Sequence, residues 1–294
     1  MKKIVVSLVL ISLFLPLYFA YSSNSSLISI KPRIQDHKPL MMGVIPYLQP
    51  EKLKLQIDPI LNYLALKLNR QIKLTTVSDY EGLGRLLELN RIQIALFSDT
   101  SYRKLKKDNA WEVLCRPVQY GSVVYRGQII ARKNSEIDSL EKLRGKRFAY
   151  VDRYSGSGFF YPNLLLKEKN IAPLDFFSEV FFSQSHRSSI LGVLSGQYDG
   201  AAVFSANLLE PETEGEETQL KIVARTEPIP NDPLVVRQDL DSDLKNAIAN
   251  AMLNMHEDES GKKFLATLKK LRGTEKFISE AEVKKIIQQA KNDL

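Results

Sequence analysis

Hydrophobic and polar positions along this chain change period repeatedly. Residues 39–47, PLMMGVIPY, make a short apolar run of strand length. Over 51–69 the apolar residues Leu53, Ile57, Ile60, Leu61, Leu64 and Leu68 recur at helical spacing, and Pro59 is expected to interrupt or kink that helix. A strand at 71–77 precedes a helix through Leu89, for which Asp79 is a good N-cap. IQIALFS (92–98) reads as a buried strand, and Asp99-Thr100 opens a helix to about Lys107. Beyond Trp111 the alternation resumes, with strands at WEVLCRPV and 127–133, then a short helix, Gly145 and the strand FAYVD. Next come a helix over 159–169, a strand at 179–184, a helix at 188–197 and strands at 198–204, 220–227 and LVVRQ. The remainder, about 239–294, reads as nearly all helix, broken at Gly261 and Gly273.

Alternating strands and helices predict an α/β fold, with mostly parallel sheets flanked by helices. A chain of 294 residues is comfortable for two lobes. Extended segments near 122–128 and 227–234 are suited to cross between them. One lobe is then expected from 38–125 plus 230–294, and the other from 126–229. A ligand would sit between them, at the carboxyl ends of strands and the N-termini of helices.

The N-terminus adds a location. Met1-Lys2-Lys3 is followed by IVVSLVLISLFLPLYFA and the polar SSNSS, the layout of a secretory signal over 1–22. Ala20 and Ser22 offer a small-residue cleavage site. The apolar run also approaches bilayer-spanning length, so a retained anchor is the alternative to cleavage. No Cys follows it for lipid attachment, and 23–37 reads as a linker. The protein is therefore expected outside the cytoplasm, in the periplasm or an equivalent compartment.

Charge and cysteine content exclude more than they assign. Lys and Arg outnumber Asp and Glu by 41 to 34, a net +7. Much of this excess, including Lys262, Lys263, Lys269, Lys270 and Arg272, reads as a solvated helix face. Neither zinc-finger spacing nor an aromatic–basic stripe is present, so nucleic acid is not an expected partner. A small anionic ligand is compatible with the balance. Cys115 is the single cysteine, read as a buried apolar residue, and it can form no internal disulfide. With one Cys and the scattered His37, His186 and His256, no metal centre or cofactor is expected.

Candidate chemistry lies where strands hand over to helices. Ser155-Gly156-Ser157-Gly158 follows the strand FAYVD and opens a helix. Amide protons at a helix start lack intrahelical acceptors, the helix dipole is positive there, and glycine admits an oxyanion close to the backbone. A plain turn with a Ser cap is the alternative. Ser185-His186 stands at a second such junction, where a His ring can donate to an anion while near neutrality. Ser98, Thr100 and Ser101 mark a third, with capping as the alternative, and Tyr80 lies in the entry turn of a fourth helix, with packing as the alternative.

The ordered blocks GVIPYLQPEKL, TTVSDYEGLGRLLELNRIQIALFS, LRGKRFAYVDRYSGSGFFYPNLLLKEKNI, FSQSHRSSILGVLSGQYDGAAV and PIPNDPLVVR resemble the phosphate/phosphonate-binding proteins of ABC transporters, the PhnD-like family. The resemblance spans about 40–290. It implies a two-lobed periplasmic-binding-protein type II fold that closes on a small oxyanion and delivers it to an ABC permease, working as a monomer. By position it implies that Ser155, Gly156 and Ser157 hold phosphonate or phosphate oxygens. His186 would add a donor, Tyr80 and Ser98 would reach from the first lobe, and Asp232 would accept from a protonated ligand oxygen or a cationic group.

Three departures from the family pattern bear on the ligand. Gly156 stands where the family often has Thr. Leu96-Phe97 stands where an aromatic pair with Tyr is common. Phe204-Ser205-Ala206 carries no acid until Glu210, where aminoalkylphosphonate binders carry a carboxylate. A buried ammonium without a partner is costly, so phosphate, phosphite or a small neutral-tailed phosphonate is expected instead of aminoethylphosphonate. Two other classes are weighed beside the transport reading. A membrane-anchored sensor would need the uncleaved N-terminus and a signalling partner. An enzyme would need Ser155 or Ser157 with His186, but Tyr154-Ser155-Gly156-Ser157-Gly158 lacks the leading Gly of the hydrolase elbow, and no catalysis is expected.

Overall fold

The computed structural model describes residues 38–204 and 217–292. The signal or anchor at 1–22, the linker at 23–37 and the positions Ser205, Ala206 and Glu210 lie outside the described residues.

The first sheet grows from β1 (Leu40–Val44), α1 (Pro50–Leu68), β2 (Ile72–Thr75), α2 (Tyr80–Glu88), β3 (Ile94–Leu96), α3 (Asp99–Leu105) and β4 (Trp111–Gln119). The expected face of α1 is the one buried: Leu53, Ile57, Ile60, Leu61 and Leu64 pack inward. Each such side chain contributes about 1.5–3 kcal/mol by leaving water. Pro59 does not end this helix, which runs unbroken to Leu68. The carbonyl deprived of its donor belongs to Leu55, which is exposed, so water can satisfy it. Asp79 caps α2 as expected, accepting from the Gly82 amide at 2.6 Å.

The second sheet is built from β5 (Val124–Arg132), β6 (Arg147–Tyr150), α4 (Tyr161–Glu168), the short α5 (Pro173–Phe176), β7 (Glu179–Phe182), α6 (His186–Ser195), β8 (Gly200–Phe204) and β9 (Leu220–Pro230). The chain then re-enters the first sheet as β10 (Leu234–Arg237), followed by α7 (Ser242–Leu253), α8 (Glu259–Arg272), β11 (Thr274–Ile278) and α9 (Glu280–Asn292).

Strand order is β11-β4-β10-β3-β1-β2 in the first sheet and β7-β6-β8-β5-β9 in the second. Both sheets are mixed. β1, β2 and β3 run parallel, as do β6, β7 and β8. The remaining pairings, which involve β4, β5, β9, β10 and β11, are antiparallel. Parallelism thus holds where a helix separates successive strands. It is lost where the chain leaves or re-enters a sheet through a few residues, too short a link for a crossover helix.

The C-terminal region departs from the expected run of helix. The break between α7 and α8 falls at 254–258, and Gly261 lies inside α8, donating its amide to the capping Asp258 carboxylate at 2.9 Å. Gly273 does end α8, in the left-handed region at φ 64°. From there the chain extends into the strand β11, whose Phe277 and Ile278 are buried against β4. Five residues with two charges among them carry little periodicity, so this edge strand is specified by its partner.

The two passages between sheets are stitched together. The Asn231 amide donates to the Val123 carbonyl at 2.9 Å, and its side chain donates to Pro117 at 3.0 Å and Ser122 at 2.9 Å. Behind it, buried Arg116 donates to the Asn231 carbonyl at 2.7 Å and pairs with Asp99 at 2.8 Å and Glu280 at 2.5 Å. One desolvated cation therefore ties the start of α3, the start of α9 and the return passage. Removing either carboxylate would leave it under-compensated.

Candidate functional site

A cavity of about 250 Å³ lies where the parallel strands of both sheets end. Ile45 and Tyr47 come from the loop after β1, Ser98 from the end of β3, Ser155–Ser157 from the end of β6 and Phe204 from the end of β8. Tyr80 and His186 are the first residues of α2 and α6, and Asn231 and Asp232 come from the return passage. The seven residues that the resemblance assigns to the ligand, Tyr80, Ser98, Ser155, Gly156, Ser157, His186 and Asp232, line it, whereas Thr100, Ser101 and Ser185 do not.

The second-sheet wall is built of helix starts. A wide turn, Gly156–Phe160, leads directly into α4, so the helical segment begins three residues earlier than its apolar pattern indicates. Ser155 caps it, accepting from the Gly158 amide at 3.0 Å. The amides of Gly156 and Ser157 occupy the first turn, where no intrahelical acceptor exists. A Cβ on Gly156 would come within 2.9 Å of the Thr100 hydroxyl oxygen. Glycine therefore permits the close approach of α3, and Thr100 Oγ1, buried and without a hydrogen-bond partner, fills that space.

His186 stands at the head of α6, which Ser185 caps by accepting from the Ser188 amide at 3.0 Å. The imidazole Nδ1 accepts the Phe204 amide at 3.3 Å, and the Phe204 ring meets it edge-on at 5.0 Å. That bond places the ring proton on Nε2. Burial pushes the His186 pKa down to about 3, so the ring is neutral and a donor.

The first-sheet wall is phenolic and charged. Tyr80 lies within hydrogen-bonding reach of Ser155, and burial raises its pKa despite that bond. Across from it, on the second-sheet side, Tyr125 of β5 is likewise within reach of Ser157, and burial raises its pKa. Ser98 is half of a capping box on α3, its Oγ accepting from the Ser101 amide at 3.0 Å. The Asp232 carboxyl is pushed up to about 7 by burial, with Arg272 and Arg116 opposing, and its Oδ1 is buried without a hydrogen-bond partner.

Sequence reasoning missed Tyr47, Tyr125 and Arg272. Tyr47 donates to Gln56 Oε1 at 3.0 Å, and the Arg272 guanidinium lies 5.3 Å above its ring. Lys262, Lys263, Lys269 and Lys270 are exposed as expected. Arg272 is not part of that solvated face, because it ends α8 at the cavity wall. The signal available was its position one residue before the Gly273 stop, where the helix face ceases to repeat. Cys115 is buried, and desolvation raises its thiol pKa, in keeping with a packing role.

The family described as "ABC transporter, phosphonate, periplasmic substrate-binding protein" matches residues 42–279. The phosphonates-binding periplasmic protein of Escherichia coli is 29% identical over 274 residues, covering 90% of this chain and 78% of that protein. A binding protein component of a Pseudomonas aeruginosa ABC phosphonate transporter superposes with a TM-score of 0.76 at 25% identity, covering 86% of this chain and 85% of that one. PhnD1 of Prochlorococcus marinus, solved with methylphosphonate, shares the fold at a TM-score of 0.73 and 20% identity, covering 87% and 99%. With two mixed sheets, a cavity at their strand ends and a family match over most of its length, this chain belongs to the periplasmic phosphonate-binding proteins of ABC transporters.

Proposed function

We propose that the cavity captures the tetrahedral head of a phosphonate, or phosphate or phosphite in its place, and that the protein delivers it to an ABC permease. The observation that carries this reading is the convergence of two neutral donor sets. The first-turn amides of Gly156 and Ser157, and the His186 Nε2–H fixed by the Phe204 amide, line one cavity. Donors held in place before the anion arrives need no reorganisation, and each bond to a charged oxygen is worth about 1.5–3 kcal/mol. Ser155 and Ser157 add hydroxyls, Tyr80 adds a phenol from the opposite side, and Ser98 secures the α3 cap. The Asp232 carboxylate accepts a hydrogen bond from a protonated ligand oxygen.

In this reading the two lobes are 38–125 plus 230–294 and 126–229. They close on the ligand as a monomer, and no bond is made or broken. Titration calorimetry with methylphosphonate, phosphate and phosphite tests the site: a saturable exothermic isotherm for at least one supports it. Silence for all three removes it.

A further inference from the structure

Arg272 is the single Lys or Arg among the cavity-lining residues. It is half-buried, and among the described residues no carboxylate lies within ion-pair distance of it. Its guanidinium rests instead on the face of Tyr47, a weak compensation for a partly desolvated charge. The donors for an oxyanion head come from the second-sheet side, whereas Arg272, Tyr47 and Gln56 come from α8, the loop after β1 and α1. A cavity of 250 Å³ has room for about eight waters at ~30 Å³ each, so an oxyanion head alone leaves it part-filled.

We propose that Arg272 is a second anion-binding point, and that the preferred ligand is a short phosphonate with an acidic tail, of the phosphonocarboxylate class. This presupposes the oxyanion seat at Gly156, Ser157 and His186. A guanidinium presents a planar fork that matches a carboxylate in two parallel hydrogen bonds, and Tyr47 beneath it fixes the plane of that fork. Asp232, Tyr47 and Tyr120 are the other titratable groups at this end, and the nearby Arg272 opposes protonation of Asp232. An ammonium tail would meet the guanidinium as a like charge. A neutral tail would leave it only the Asp232 carboxyl, protonated below about pH 7, as a counter-ion. The tail is thus expected to be acidic, which goes further than the absence of an acid near Ala206 alone.

Calorimetry on the full chain compares phosphonoacetate, methylphosphonate and aminoethylphosphonate. Phosphonoacetate should bind at least about tenfold more tightly than methylphosphonate, the worth of one charged bidentate contact. Aminoethylphosphonate should be the weakest. In Arg272→Gln the ratio of phosphonoacetate to methylphosphonate affinity should fall to about one, and in Arg272→Lys it should be intermediate. A ratio near one in the wild-type protein overturns the assignment, as does a ratio that survives Arg272→Gln. Absence of methylphosphonate binding would instead remove the oxyanion seat, and the acidic-tail assignment with it.

Discussion

The two walls of the cavity are made differently. The second-sheet wall consists of main-chain amides, capped helix starts, a neutral imidazole and the Tyr125 phenol, with no formal charge. The first-sheet wall carries phenols, a carboxyl held near neutrality and a guanidinium. Backbone donors are positioned by the fold itself and tolerate little adjustment, whereas side-chain charges can be exchanged without moving the frame. On the proposed reading, one wall recognises the invariant head and the other discriminates among tails.

The largest effects are expected on the amide-rich wall. Ser157→Ala and His186→Ala should each weaken methylphosphonate binding by about ten- to a hundredfold, because a donor to a desolvated anion is lost. Calorimetry showing full affinity in both variants would empty that wall of its role. On the other wall, Asp232→Asn should act through pH. The Asp232 pKa in the folded protein, about 7, stands above the ordinary 3.8, so the unfolded chain releases this proton first. Stability should therefore decline as pH rises between about 4 and 7, and the Asn variant should flatten that decline in a series of Tm measurements.

A smaller effect probes the seam between the walls. Gly156→Ala should cost several-fold in affinity, since its methyl would crowd Thr100 Oγ1, and adding Thr100→Ala should recover most of the loss in a double-mutant cycle. The smallest is Ser98→Ala. Loss of a helix cap should lower stability by about 1 kcal/mol in denaturant titration, while binding changes little.

The amide-rich wall was the legible one in the sequence. Ser-Gly-Ser-Gly and Ser-His stand next to helices, and a helix start is a local property that composition advertises. Tyr80 was legible for the same reason, one residue after the Asp79 cap. Tyr47, Tyr125 and Arg272 were not, because each lies in a segment whose period says nothing of the cavity. Arg272 also ends a basic stretch whose lysines do face solvent. Mixed strand direction was hidden as well. β10 and β11 are short, and their pairing with β4 depends on residues more than a hundred positions away.

The chain has one tryptophan, Trp111, at 2% exposure and stacked on Phe97 with ring centroids 5.2 Å apart. Phe97 immediately precedes the Ser98 that anchors α3 at the cavity rim. Indole emission, excited at the red edge where tyrosine does not absorb, therefore comes from a single residue beside the phenolic wall. A ligand that reorders the α3 cap should shift that emission, giving an unlabelled optical titration that reads one side of the cavity alone.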